Sequence, residues 1–217
     1  MTWTVPNILS VLRVIAAPCV AFAFALLDRP DADRAAVLIF FIAAFTDYLD
    51  GSLARRLGQE SAFGKMLDPV ADKAMVSIAL AVIVAIYDLE WPILIPAAII
   101  LLREVLISGL REFLGDVKLQ VTRIAKWKTT LQMAAICLLL LQGAFAPAEG
   151  APPRNPVVAQ ALEMVAIAAG SLGLLLLWVA AWFTLVTGWD YFSKGMPYIE
   201  AKEVGGGKPA PKAPAND

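Results

Sequence analysis

The sequence predicts an all-α integral membrane protein with six transmembrane helices and both termini in the cytoplasm. Three observations predict it. Hydrophobic residues make up 59% of the chain and mean hydropathy is +0.70, whereas a soluble domain is about 45–50% apolar. The excess falls in blocks of about 20 residues, the length an α-helix needs to cross a hydrocarbon core of about 30 Å. Short polar turns separate the blocks, and Lys and Arg gather on one side of them.

The blocks run 8–27, 35–54, 66–87, 92–114, 124–145 and 157–188. The first follows MTWTVPN, which carries no positive charge, and Arg13 lies inside it. It therefore reads as a retained helix and not as a cleaved signal. Asp28-Arg-Pro-Asp-Ala-Asp33 is a polar turn whose aspartates read as solvated surface. Gly58-Gln-Glu-Ser61 makes the next turn, and Tyr87-Asp-Leu-Glu-Trp-Pro92 brings an interfacial aromatic pair. The stretch 146–156 is a Pro-rich loop that cannot be helical throughout. The last block is long enough to tilt or to run past the bilayer, and its Glu163 reads as a packing or interfacial residue. Residues 1–195 form one membrane domain. Residues 196–217 form a tail whose Gly, Pro, Ala and Lys composition predicts disorder from about residue 205.

Topology follows from the cations. One side holds Arg55, Arg56 and Lys65, then Arg111, Lys118, Arg123, Lys126 and Lys128, then Lys194, Lys202, Lys208 and Lys212. The other holds only Arg29, Arg34 and Arg154. Arg13, Lys73 and Arg103 fall within helices. The positive-inside rule assigns the rich side to the cytoplasm. A net charge of −1 gives no basic field for nucleic acid. Cys19 and Cys137 sit in separate apolar blocks and read as packing residues, outside any disulfide or metal site. The chain has no histidine, so acid–base chemistry falls to carboxylates, Lys, Tyr or water.

Intramembrane charge costs about 2.5–3.5 kcal/mol per group on insertion scales. Blocks two and three nevertheless carry Asp47, Asp50, Asp68 and Asp72. The first two are three residues apart and the last two are four apart, so each pair shares a helix face. The charged link between them is a cytoplasmic turn. The two helices are expected to be antiparallel neighbours, with four carboxylates converging at one depth. Such a cluster needs cations, and oxygen ligands suit hard ions such as Mg²⁺ or Mn²⁺. Two metals on shared carboxylates are a recurrent device for displacement at phosphorus. Gly51, Ala54 and Gly64 allow close approach of a ligand, and Arg55 offers a fork for phosphate.

The stretch Asp47-x2-Asp50-Gly51-x2-Ala54-Arg55-x8-Gly64-x3-Asp68-x3-Asp72 resembles the CDP-alcohol phosphatidyltransferase motif at all eight fixed positions. Pro6-Asn-Ile-Leu-Ser-Val-Leu-Arg13, Leu67 to Lys73, Arg103 to Glu112 and Ala125 to Gln132 look like the branch that uses glycerol 3-phosphate. Ser10 stands where that branch has Thr, which keeps the hydroxyl. The likeness covers roughly residues 5–190.

The resemblance implies a phospholipid-synthesising transferase in the inner membrane of a bacterium, active on the cytoplasmic face and working as a homodimer. Its substrates are CDP-diacylglycerol and glycerol 3-phosphate. Asp47, Asp50, Asp68 and Asp72 hold two divalent ions, and Asp72 is the general base. Asp47, Gly51, Ala54, Arg55 and Gly64 bind CDP-diacylglycerol. Arg103, Arg111, Lys126 and Lys128 take the acceptor phosphate. Lys73, next to Asp72, is expected on another face, extended towards headgroups. Arg13 either reaches the site or snorkels. Rival readings are the same fold with serine, inositol phosphate or phosphatidylglycerol as acceptor, and a cation transporter. The transporter predicts acids near the midplane and broken helices.

Overall fold

Apolar stretches of this length find no water for their backbones in a bilayer, so each must close its own hydrogen bonds as a helix. The computed structural model describes residues 4–57, 62–115, 124–146 and 155–203. Among them are six α-helices and no strand: α1 (Val5–Leu26), α2 (Asp31–Leu57), α3 (Ala62–Ile86), α4 (Trp91–Leu114), α5 (Ile124–Phe145) and α6 (Pro156–Glu203). Five of them, α1, α3, α4, α5 and α6, are long and apolar enough to cross a membrane. The other expected span, α2, has 27 residues, with side chains described only as far as Asp47.

Side-chain contacts fix the directions of the helices. Ser10 and Arg13 of α1 meet Asp68 and Asp72 of α3 in the same order, so these two helices are parallel. Arg13 also meets Asp47 in the later part of α2. Lys73 of α3 meets Ser108 near the end of α4, so that pair is antiparallel. Tyr87, just past α3, reaches Leu139 and Gln142 late in α5. Trp178 of α6 donates to Pro92 O at the start of α4, and Gly188 and Gly195 lie against Arg103 and Leu110, so α4 and α6 are parallel. Helices α1, α3 and α5 thus run one way, and α2, α4 and α6 return.

The helices meet through small residues. Ala17, Ala36, Ala79, Ala97, Ala135 and Ala180 are all buried, beside Phe40, Met75, Leu80, Ile83, Ile136 and Leu177. Close backbone approach is how helices associate in lipid, where burial of apolar area gives no net drive. At Gly173 an added Cβ would lie 3.1 Å from Leu139 N, tighter than ordinary contact, so glycine suits the close α5–α6 approach. The outer surface is apolar instead: Phe22, Leu38, Phe41, Leu102, Val105, Leu175 and Trp182 are each more than half exposed. In water that belt is an aggregation surface, whereas in lipid it is matched.

Three expectations are corrected. Helix α1 packs on both α2 and α3, and among the described residues these two meet each other far less. They are antiparallel, with Arg13 of α1 set against the acidic residues of both. Asp33 is fully buried, not solvated: Arg29 binds it through Nε at 2.7 Å and Nη2 at 3.0 Å. Gly143 of α5 supplies the room, since an added Cβ there would fall 1.9 Å from Asp33 Oδ1. Tyr87 turns inward, donating to Gln142 Oε1 at 2.7 Å, so only Trp91 of the aromatic pair remains exposed.

At 48 residues α6 is about 72 Å long, more than twice the hydrocarbon thickness of about 30 Å. It passes the expected boundary at 195 and packs Tyr191, Tyr198 and Ile199 against Ile107, Leu110 and Leu114 of α4. Gly115, at φ 60°, ends α4 by donating its N–H to Arg111 O. The tail from residue 204 lies outside the described residues, as does most of the Pro-rich loop.

Candidate active site

All the motif side chains that the structure describes lie at one end of the bundle, where α1, α3 and α5 begin. Arg13 is the centre of the cluster. It is only 2% exposed, one turn beyond the similarly buried Ser10. Its guanidinium donates to Asp47 Oδ1, to Asp72 Oδ1 at 2.8 Å and to Asp68 Oδ1 at 3.4 Å. Ser10 Oγ adds a 2.5 Å hydrogen bond to Asp68 Oδ1. The three carboxylates are 41%, 50% and 43% exposed for Asp47, Asp68 and Asp72. The arginine therefore forms a buried floor, and the carboxylates stand open above it. One guanidinium under three carboxylates leaves excess negative charge, and all the donors are oxygen. The donor type is the one hard divalent cations take, although with Arg13 between them no three carboxylates among the described residues are placed to hold an ion.

A cavity of about 250 Å³ opens beside this cluster. Asp72 and Lys73 line it from α3, Arg103, Glu104 and Arg111 from α4, Lys128, Thr129 and Gln132 from α5, and Thr187, Asp190 and Tyr191 from α6. Its basic wall is ordered by Glu104, which accepts from Arg103 Nη1 at 2.9 Å and from Lys128 Nζ at 2.5 Å. Lys128 is 3% exposed, so its charge serves the cavity and not the headgroup surface. Arg111 rests over the Tyr191 ring at 5.2 Å, a cation–π contact that steers its guanidinium. Gly188 of α6 gives Arg103 its passage, since an added Cβ would lie 3.1 Å from Arg103 Cγ.

The structure thus brings together Asp47, Asp68 and Asp72, and separately Asp72 with Arg103, Arg111 and Lys128. Gly64 is buried. The side chains of Asp50, Ala54, Arg55 and Lys126, and the surroundings of Gly51, lie outside what is described, although α2 and α5 run through all five positions. Arg13, left open between two roles, is in the cluster. Lys73 does not reach for headgroups. It lines the cavity and donates to Ser108 Oγ at 2.6 Å. Neighbouring positions on a helix differ by about 100°, yet α1 covers one flank of α3 and α4 the other, so Asp72 and Lys73 both find polar partners. Glu104, beside Arg103 in the same apolar run, stands out in the sequence as an intramembrane charge and lines the cavity, whereas Gln132, Thr187, Asp190 and Tyr191 were not expected there. The signal for Gln132 was its place one turn after Lys128, and nothing local marks the α6 residues.

A profile of the CDP-alcohol phosphatidyltransferases matches residues 3–189. The chain belongs to the CDP-alcohol phosphatidyltransferase family. Among curated proteins it is 47% identical over 218 residues to a CDP-diacylglycerol–glycerol-3-phosphate 3-phosphatidyltransferase of Cereibacter sphaeroides, covering 92% of this chain and 99% of that one. Proteins with the same name are similar in Rickettsia bellii, 37% identical over 89% of this chain and 96% of the relative, and in Escherichia coli K12, 42% identical over 64% and 78%. The family match takes in the whole acidic cluster and the cavity wall up to Thr187, short of Asp190 and Tyr191.

Proposed function

We propose that this chain transfers the phosphatidyl group of CDP-diacylglycerol to sn-glycerol 3-phosphate, giving phosphatidylglycerophosphate and CMP. The observation that carries the reading is the shared cavity: a motif carboxylate, Asp72, faces the same space as Arg103, Arg111 and Lys128. The chemistry requires that meeting. One substrate hydroxyl must reach the donor phosphorus while its own phosphate dianion is held by cations. The names of the relatives support the same substrates.

In this reading Asp47, Asp50, Asp68 and Asp72 hold two divalent ions, Mg²⁺ or Mn²⁺, which supply charge neutralisation on the pyrophosphate of the donor. Arg13 holds the carboxylates in place from below. Gly51, Ala54, Arg55 and Gly64 line the nucleotide and phosphate site. Asp72 accepts the proton of the acceptor's primary hydroxyl. That oxygen forms a bond to the phosphorus bearing diacylglycerol, and the bond from this phosphorus to the CMP oxygen breaks. Arg103, Arg111, Lys126 and Lys128 bind the acceptor phosphate, where charge-assisted hydrogen bonds are the strong ones.

All six helices cross the membrane in this reading, with both termini and the site on the cytoplasmic face of a bacterial inner membrane. The cation distribution and the alternating helix directions support this topology. A homodimer follows from the family resemblance, and cross-linking in native membranes tests it.

A cationic pocket disfavours serine, which brings no phosphate, and a site at the end of the bundle disfavours an ion pathway through its middle. The test is incubation of purified protein with CDP-diacylglycerol and either glycerol 3-phosphate, serine or inositol phosphate, with lipid products identified by mass. Phosphatidylglycerophosphate and CMP are expected from the first alone. Turnover of another acceptor in its place overturns the acceptor, while the family stands.

A further inference from the structure

Gln132 is a long polar side chain only 3% exposed, set among apolar α5 neighbours such as Ala135 and Ile136. It lines the cavity, yet among the described residues its Nε2 meets no hydrogen-bond acceptor. A buried amide donor left unmatched is costly, by more than a typical hydrogen bond returns. Which end of the amide carries nitrogen is an assignment. Such a group is matched when a ligand arrives.

Position indicates which part of the ligand. Lys128 lies four residues earlier on the same helix face, about 6 Å back along the axis towards the open end. Asp72 lines the same cavity from α3. A phosphate held at Lys128 and Arg103 leaves the carbon chain of the acceptor to run past Gln132 towards Asp72. The group it presents there is the secondary hydroxyl, between the bound phosphate and the reacting primary hydroxyl.

We infer that Gln132 hydrogen-bonds the non-reacting secondary hydroxyl of the acceptor and so selects a vicinal diol phosphate over acceptors that lack that hydroxyl. The inference rests on the acceptor reading above. A site built around a substrate hydroxyl rejects the analogue without it far more strongly than an apolar pocket does, because its own polar group is then stranded.

The experiment compares glycerol 3-phosphate with 3-hydroxypropyl phosphate, which keeps the phosphate and the primary hydroxyl and lacks the secondary one. The wild type is expected to prefer glycerol 3-phosphate by at least about tenfold in kcat/KM. Gln132→Met, of similar length and without the amide, is expected to bring that ratio close to one, by losing activity on glycerol 3-phosphate alone. KM for CDP-diacylglycerol is expected to stay within about twofold. A wild type that uses both acceptors equally overturns the inference without reference to any variant, and so does an unchanged ratio in Gln132→Met. If the wild type turns over neither phosphate, the acceptor reading itself has failed.

Discussion

The buried arginine and the aspartates around it set the behaviour of single residues. Asp47, Asp68 and Asp72 share one guanidinium, so each Asn substitution keeps shape and removes charge from a coupled set. Turnover is expected to fall by at least about 10²-fold for each, the scale of one preorganised group. EDTA should abolish wild-type activity and added Mg²⁺ or Mn²⁺ should restore it; full activity of Asp68→Asn in the presence of chelator counts against the metal reading. On the other wall, Arg103→Ala and Arg111→Ala each remove a cation worth about 1.5–3 kcal/mol to a bound phosphate. A loss of at least about tenfold in kcat/KM for glycerol 3-phosphate is expected, with little change in KM for CDP-diacylglycerol. Wild-type acceptor kinetics in both variants place the phosphate site elsewhere. The aspartates were legible in the sequence because charge in a membrane is costly and their spacing matches a helix face. Lys73 was not. Its direction depends on Ser108 of α4, and no local pattern announces a partner that arrives from another helix.

At the scale of elements, the informative departure is α1 packing on both α2 and α3. Sequence neighbours joined by a short link are expected to pack, and here Arg13 and Ser10 of α1 reach in among the described motif carboxylates of α2 and α3. The helix positions themselves were legible: α3, expected at 66–87, spans Ala62–Ile86, and α4, expected at 92–114, spans Trp91–Leu114. Pairing was not, because apolar periodicity in lipid marks no unique inner face. The opposite end of the bundle shows what fixes it. Arg29 and Asp33 tie the start of α2 against Gly143 of α5, and Arg34 Nε donates to Ala144 O at 3.2 Å. Gly143→Val places carbon where the Asp33 carboxylate sits. Breaking a buried pair costs about 3–5 kcal/mol, and the half-exposed Arg29 moves the expectation to the lower end. The melting temperature in detergent is expected to drop by several degrees, while the KM values of the surviving folded enzyme stay near wild type, since this end is remote from the cavity. An unaltered melting temperature means that the pair is not a latch.

For the whole molecule, the alternating helix directions and the charge pattern make one claim together. Every contact that fixes a direction puts Arg13, Asp47, Asp72, Arg103 and Lys128 at one end and Asp33, Tyr87 and Trp178 at the other. The loops at the first end hold most of the Lys and Arg residues, and the loops at the second hold three arginines. A cation-rich loop is retained in the cytoplasm during insertion, which is also where a water-soluble sugar phosphate and a leaving nucleotide are handled. The elongated α6 adds to this, since its last turns pack on the end of α4 at the site's own end of the bundle. Labelling checks the claim directly. Cys19 and Cys137, both within helices, are first replaced by Ala, and single cysteines are then placed at positions 58, 150 and 207. With an impermeant thiol reagent, positions 58 and 207 are expected to react only in inverted vesicles, and position 150 only in intact cells. The comparison separates two errors. If position 58 reacts from outside while 150 reacts from within, the bundle is as described and its orientation is reversed, which takes the site away from cytoplasmic substrates. If 58 and 150 react from the same side, the number of crossings between them is even, and at least one of α3, α4 and α5 does not span.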